Sequence, residues 1–148
     1  MTQETMYRLL QVLRDPKMGY RPLIIHQTEC SRHEGRIIEV LSTYGSGGVI
    51  HPATKEERKL LPEEFRKNEA VIVYCHSPMT AGEDLDKTHV STADVIDPYD
   101  GTYWRVVSVK QWGAFPNCYY EALAVKTDED PWENRNQKLG TKHDRNNL

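Results

Sequence analysis

Apolar residues recur along this chain with two different periods, and the change of period divides it. Over residues 3–14, Met6, Leu9, Leu10 and Leu13 fall at three- and four-residue spacing, which predicts an amphipathic helix. Asp15-Pro16 and Gly19 stop it. From Tyr20 onward the period shortens to that of strands. Residues 20–26 read as extended, with Pro22 placing them at an edge or near a strand start. Residues 36–44 read as the next strand, and Gly45-Ser-Gly-Gly48 as a flexible turn. Thr54-Lys-Glu-Glu57 is a capping box opening a short helix to about Leu61, limited by Pro62. Residues 69–76 form a nearly unbroken apolar run, the signature of a strand buried on both faces.

The segment 94–127 is the densest in strand signals. Asp100-Gly101 marks a turn, because glycine tolerates positive φ. Residues 102–112 are β-branched and aromatic. Strict alternation places Trp104, Val106, Ser108, Lys110 and Trp112 on one face, and Tyr103, Arg105, Val107, Val109 and Gln111 on the other. A Gly/Pro/Asn loop at 113–117 then leads into 118–127 as an antiparallel hairpin. There Tyr119, Leu123 and Val125 share one face, and Tyr120, Ala122 and Ala124 the other. Small beside large residues suit a tightly curved sheet. The fold expected is therefore mainly β: a small antiparallel β-barrel or sandwich with an N-terminal helix, a short mid-chain helix, a long loop and a mobile tail. Its divisions are 1–19 (helix and linker), 20–127 (barrel) and 128–148 (extended arm).

Composition sharpens this picture. The 148 residues would suffice for one domain burying about two thirds of its unfolded surface. Yet only 38% are apolar and 28% are charged, with a mean hydropathy of −0.70. Either parts of the chain stand outside the core or partners complete its burial. The loop 77–91 has no periodicity and includes Glu83, Asp84 and Asp86, and loops of that length are often functional. The tail 128–148 holds few apolar groups beyond Trp132, Leu139 and Leu148, too few to offset its ordering entropy alone. A net charge of −3 gives no general attraction to nucleic acid or an anionic membrane. No apolar run nears the roughly 20 residues that span a bilayer. Residues 1–8 lack the cationic start and apolar block of a signal peptide. Three widely spaced cysteines, Cys30, Cys75 and Cys118, suit synthesis in a reducing cytoplasm.

Candidate chemistry is sparse. His26, Cys30 and His33 come nearest to a metal cluster, but nothing selects a fourth ligand among His51, His76 and Glu29. Cys75 and His76 would point to opposite faces of a strand, which argues against a thiolate–imidazole pair. Glu83, Asp84 and Asp86 lack the spacing and central glycine of a calcium loop. The Gly45–Gly48 stretch lacks a Gly-Lys-Ser/Thr ending and is no phosphate loop. Trp104, Trp112, Tyr103, Tyr119 and Tyr120 are candidates for a base-stacking platform, which needs flanking cations. Only Arg105 and Lys110 lie close enough to attract a backbone, so a core and contact role is preferred. No catalytic residue, metal or cofactor is expected.

The order of segments carries a resemblance. Leu60-Leu-Pro-Glu-Glu-Phe-Arg66, an apolar strand ending Val73-Tyr-Cys-His76, a variable loop, Ala93-Asp-Val-Ile96, Asp100-Gly-Thr-Tyr-Trp-Arg-Val-Val-Ser-Val109, a following Trp112 and a Tyr-rich last strand together resemble the head–tail connector proteins of tailed bacteriophages. These are the neck, collar or head-closure components, and the resemblance covers about residues 50–127. It implies a non-enzymatic barrel that assembles as a homo-oligomeric ring in the virion between capsid and tail, after synthesis in the host cytoplasm. The implied neighbours are the portal protein and the tail terminator or other neck proteins. Double-stranded DNA would pass through the channel without sequence-specific binding, and no membrane is involved. The residues expected to meet neighbours are Met6, Leu9, Leu10 and Leu13 of the helix, Glu83, Asp84, Leu85 and Asp86 of the loop, and Trp132 of the tail. The alternatives are a single-stranded nucleic-acid-binding barrel using its aromatic strands and, behind it, a small metal-dependent hydrolase built on His26, Cys30, His33 and His76.

Overall fold

The computed structural model describes residues 17, 19–82 and 93–132, with backbone alone for 29–33 and 36–40. The helix expected over 3–14, the acids at 83–86 and the tail beyond Trp132 lie outside the described residues.

Six strands close into an antiparallel barrel. They are β1 (Arg21–His33), β2 (Arg36–Pro52), β3 (Ala70–Cys75), β4 (Val95–Asp97), β5 (Tyr103–Ala114) and β6 (Asn117–Thr127). The order around the wall is β1-β2-β3-β6-β5-β4, with β4 returning to β1 through Ile24–His26. A short helix α1 (Lys55–Arg58) and a 3₁₀ turn (Glu63–Phe65) connect β2 to β3. The expected capping box is formed: Glu57 N donates to Thr54 Oγ1 at 3.2 Å, and Thr54 N donates to Glu57 Oε1 at 2.9 Å.

The interior is filled by alternate residues of the wall. Leu23 and Ile25, Val71, Val73 and Cys75, Ile96, Trp104 and Val106, and Ala122 and Ala124 pack as one buried cluster. Each fully buried aliphatic side chain contributes about 1.5–3 kcal/mol by leaving water. Ala122 and Ala124 are the small members that share this space with Trp104. Outside the wall, Leu61 is 2% exposed and packs with Ala70, Ile72, Leu123 and Val125, so the α1 connection covers that part of β3 and β6. The strand 69–76 is thus buried on both faces, as its unbroken apolar run foretells.

Two expectations are corrected. Gly45–Gly48 is not a turn; it lies within β2 and pairs with Arg21–Ile24. The glycines answer to packing. A Cβ on Gly47 would stand 2.0 Å from the Tyr20 hydroxyl, and one on Gly48 would stand 2.1 Å from the Tyr74 carbonyl oxygen. The second correction concerns β5, where the register shifts between Val106 and Ser108. This bulge adds one residue and exchanges the faces beyond it. Trp104 and Val106 remain inside, Val109 joins the interior cluster, and Val107 packs with the outer one. Trp112 consequently faces outward at 36% exposure. In β6 the expected faces hold, with Ala122 and Ala124 inside and Leu123 and Val125 outside.

Antiparallel order fixes what lies at each end. One end carries Tyr20, the α1 connection, the 98–102 turn and the exit of β6. The other carries the loop after Cys75, the β1–β2 hairpin tip and the β5–β6 hairpin tip. Both hairpins outrun the barrel. β1 and β2 pair from Arg21–Gly48 to His33–Arg36, but β4 bonds β1 only at Ile24–His26 and β3 bonds β2 only at Gly48–Pro52. β5 and β6 pair out to Ala114–Asn117, while β3 bonds β6 only at Tyr120–Val125. Two ribbons therefore project from the same end.

Candidate interaction surfaces

Beyond β6 the chain turns back across the outside of the barrel. Trp132 N donates to Asp130 Oδ1 at 2.8 Å, which shapes the turn at Pro131. The Trp132 indole then donates to Asp97 Oδ2 at 2.6 Å and meets the His26 ring edge-on, with centroids 4.7 Å apart. Asp97 Oδ1 accepts from Tyr99 N at 2.9 Å, so one carboxylate secures both this strap and the turn after β4. His26 Nε2 lies 3.6 Å from Asp97 Oδ2, with both side chains under 10% exposed. Strand alternation explains the cluster: Ile25 and Ile96 point inward, which turns His26 and Asp97 outward beneath the strap.

The strap roofs a half-open hollow of about 200 Å³ on the β4–β1 side. Leu41, Val95 and Pro131 give it apolar lining, and His26, Arg105 and Glu129 give it polar lining. Asp128, Glu129 and Asp130 follow one another along the strap.

Across the barrel, around the β3–β6 junction, a row of rings crosses four strands. His51 and Tyr74 are 5.4 Å apart, Tyr74 and Tyr119 are 6.1 Å apart, and Tyr119 and Trp112 stack at 6.3 Å with planes 16° apart. Lys110 Nζ sits 5.3 Å from the centroid of Trp112, a cation–π contact. The Trp112 indole donates to Glu121 Oε2 at 3.3 Å. Burial first, then the neighbouring Glu121 carboxylate, raises Tyr74 well above the ordinary phenol range, so it stays a neutral donor. Beyond the row, the tip of the β5–β6 ribbon presents Phe115 at 86% exposure.

A third cluster is internal, beneath the loop that leaves β3. Tyr44 donates to the Pro78 carbonyl, and Ser46 and Ser77 hydroxyls are 2.7 Å apart. Asp94 is 2% exposed and accepts from Thr80 N at 2.9 Å, while Asp94 N donates to Thr80 O at 2.9 Å. Burial pushes the Asp94 carboxyl up to about 6 against the hydrogen bonds from Thr80 and Gln27. Burial likewise pushes the Cys75 thiol up to about 11, and its Sγ donates to Ser77 O at 3.1 Å. A thiol so placed is a buried small hydrophobe rather than a nucleophile.

The residues singled out from sequence are mostly separated. Among the described residues no three His, Cys, Asp or Glu side chains gather as a metal site. His26 turns to Asp97 and Trp132, and His51 to Tyr74; the side chains of Cys30 and His33 are outside the description. The five aromatics weighed as a stacking platform are dispersed, in keeping with the core and contact role preferred for them. Trp104 and Tyr120 pack with the interior, and Tyr103 reaches Asp130 on the strap. Trp112 and Tyr119 alone remain together, extended by Tyr74 and His51. Trp132, expected to meet a neighbour, is seated on its own barrel. Asp97 and Tyr74 were not singled out. The signal for Asp97 was Asp-Pro at the close of a short strand, an Asx-turn cue.

No protein-family model and no curated protein matches the chain.

Proposed function

We propose that this protein is a structural, non-enzymatic subunit of a bacteriophage neck, forming a ring that joins portal to tail or closes the DNA-filled head. The carrying observation is the pair of ribbons that outrun the barrel at one end. Strand edges at Gln27–His33, Arg36–Gly47 and Asn117–Tyr119 have a ladder partner on one side only among the described residues. Such edges template pairing with another chain unless something covers them. A ring subunit covers them with its neighbours, and this also accounts for a polar composition in a chain of this length. The strand and turn order that resembles connector proteins supports the same reading. Glu83, Asp84 and Asp86 make the loop sequence acidic, and an acidic channel lining would let DNA slide because it offers phosphates no cations.

Mass photometry of the purified protein, alone and with portal rings, tests this. The expected result is a discrete multiple of the subunit mass, or a fixed increment on the portal ring. Failure to associate with itself, with portal or with tail components at high concentration overturns it.

A further inference from the structure

The two outer surfaces lie opposite each other. In the order β1-β2-β3-β6-β5-β4, the β4–β1 junction and the β3–β6 junction are separated by three strands either way round. The first bears a hollow, and beside the second the β5–β6 hairpin projects. The hollow is about 200 Å³, half open, and apolar at Leu41, Val95 and Pro131. The projection is the β5–β6 arm, with Phe115 86% exposed at its tip and Trp112 36% exposed behind it. A large aromatic held in water on a hydrogen-bonded ribbon gains the most when it enters an apolar recess. Both surfaces carry one charge of each sign: Glu129 and Arg105 line the hollow, and Lys110 and Glu121 flank Trp112 on the arm, so opposite charges can meet in two pairs.

We infer that the partner for the arm is a second copy of this chain, with Phe115 of one subunit seated in the strap-roofed hollow of the next. Unlike patches on different walls make a head-to-tail contact, and such contacts close into rings when the rotation permits. A contact between two like patches would stop at a dimer. The inference rests on the ring reading proposed above and adds the surfaces that meet.

The test uses full-length protein with two kinds of variant. Phe115→Asp removes the projection, and Thr28→Arg or Thr43→Arg, both on the outward face of the wall, fills the hollow. Thermal unfolding first identifies a hollow variant that retains the wild-type barrel. The expected result is that each variant alone needs at least a tenfold higher concentration to self-associate. Mixed together, they form a dimer and nothing larger, since one good contact survives per pair. The inference is overturned if Phe115→Asp assembles like wild type, or if the mixture behaves like either variant alone. It is also overturned if Phe115→Asp loses portal binding but self-associates normally, which would make portal the target of the arm. In each of these cases wild-type assembly persists and the ring reading stands. Wild-type protein that neither self-associates nor adds to portal removes both.

Discussion

Two tryptophans on different walls of the barrel each donate an indole hydrogen to a carboxylate, and the two pairs differ in nearly every other respect. Trp132 reaches Asp97 Oδ2 at 2.6 Å, where the carboxylate is 6% exposed and the indole also packs against His26. Trp112 reaches Glu121 Oε2 at 3.3 Å on an exposed surface. A charge-assisted hydrogen bond away from water gains strength from the low dielectric, and its loss leaves a buried charge with fewer donors. The same bond at the surface exchanges readily with water and adds little. The strapped wall therefore uses its aromatic to hold the chain to itself. The open wall holds its aromatics in a row whose apolar area is still in contact with water. Identical chemistry serves internal cohesion in one place and remains available to a neighbour in the other, and burial decides which.

The largest effect expected comes from beneath the open wall. A Cβ on Gly48 would lie 2.1 Å from the Tyr74 carbonyl and 3.0 Å from Cys75 Cβ, so Gly48→Ala must part β2 from β3. A cost of about 3–5 kcal/mol is expected by urea unfolding, at the upper end for overpacking. Gly47→Ala meets the end of the Tyr20 ring instead, which can swing aside, and should cost about 1 kcal/mol or less. Equal losses at the two positions would show that the open wall does not draw its stability from this close backbone approach.

On the strapped wall, Trp132→Ala removes the indole from His26 and the short donor from Asp97. A loss of about 3 kcal/mol is expected, combining packing and a buried carboxylate deprived of a partner. Trp132→Phe keeps a ring and should recover about half of it. Amide exchange at Asp97–Thr102 should rise in step, because the same carboxylate secures that turn. A Trp132→Ala protein as stable as wild type would end the contrast between the walls.

The barrel itself was legible because burial imposes a period on the sequence. The unbroken run 69–76 reports a strand covered on both faces, and the alternation at 119–125 survives intact in β6. The capping box at Thr54–Glu57 was legible because both partners lie within one turn. The glycines of β2 were not, since what requires them is Tyr20 and the Tyr74 carbonyl, neither adjacent in sequence. The bulge in β5 was hidden too: Val106, Val107 and Val109 fit either face, so composition does not mark where the alternation slips. The surfaces suffered most. One slip moved Trp112 away from Trp104, while His51 and Tyr74 entered the row through strand order that no local pattern carries.

A smaller effect than the loss of Trp132 belongs to neither wall and calibrates both. Asp94 lies inside, clasped to Thr80 by two hydrogen bonds of 2.9 Å, with Tyr44 and Cys75 as neighbouring ionisable groups. An aspartate that titrates near 3.8 when unfolded is carried to about 6 in the barrel. Between those values the native state binds the extra proton, so this group favours folding fully below the lower one and loses that contribution as pH rises through the upper one. A shift of this size corresponds to at most about 3 kcal/mol, and about 1–2 is expected once the loop relaxes. Asp94→Asn keeps an acceptor for Thr80 N while removing the titration. Its stability relative to wild type should be near zero at pH 4, grow in its favour through pH 6 and level off by pH 7.5, as followed by urea unfolding. A difference that stays flat across that range would mean Asp94 ionises freely in the folded barrel.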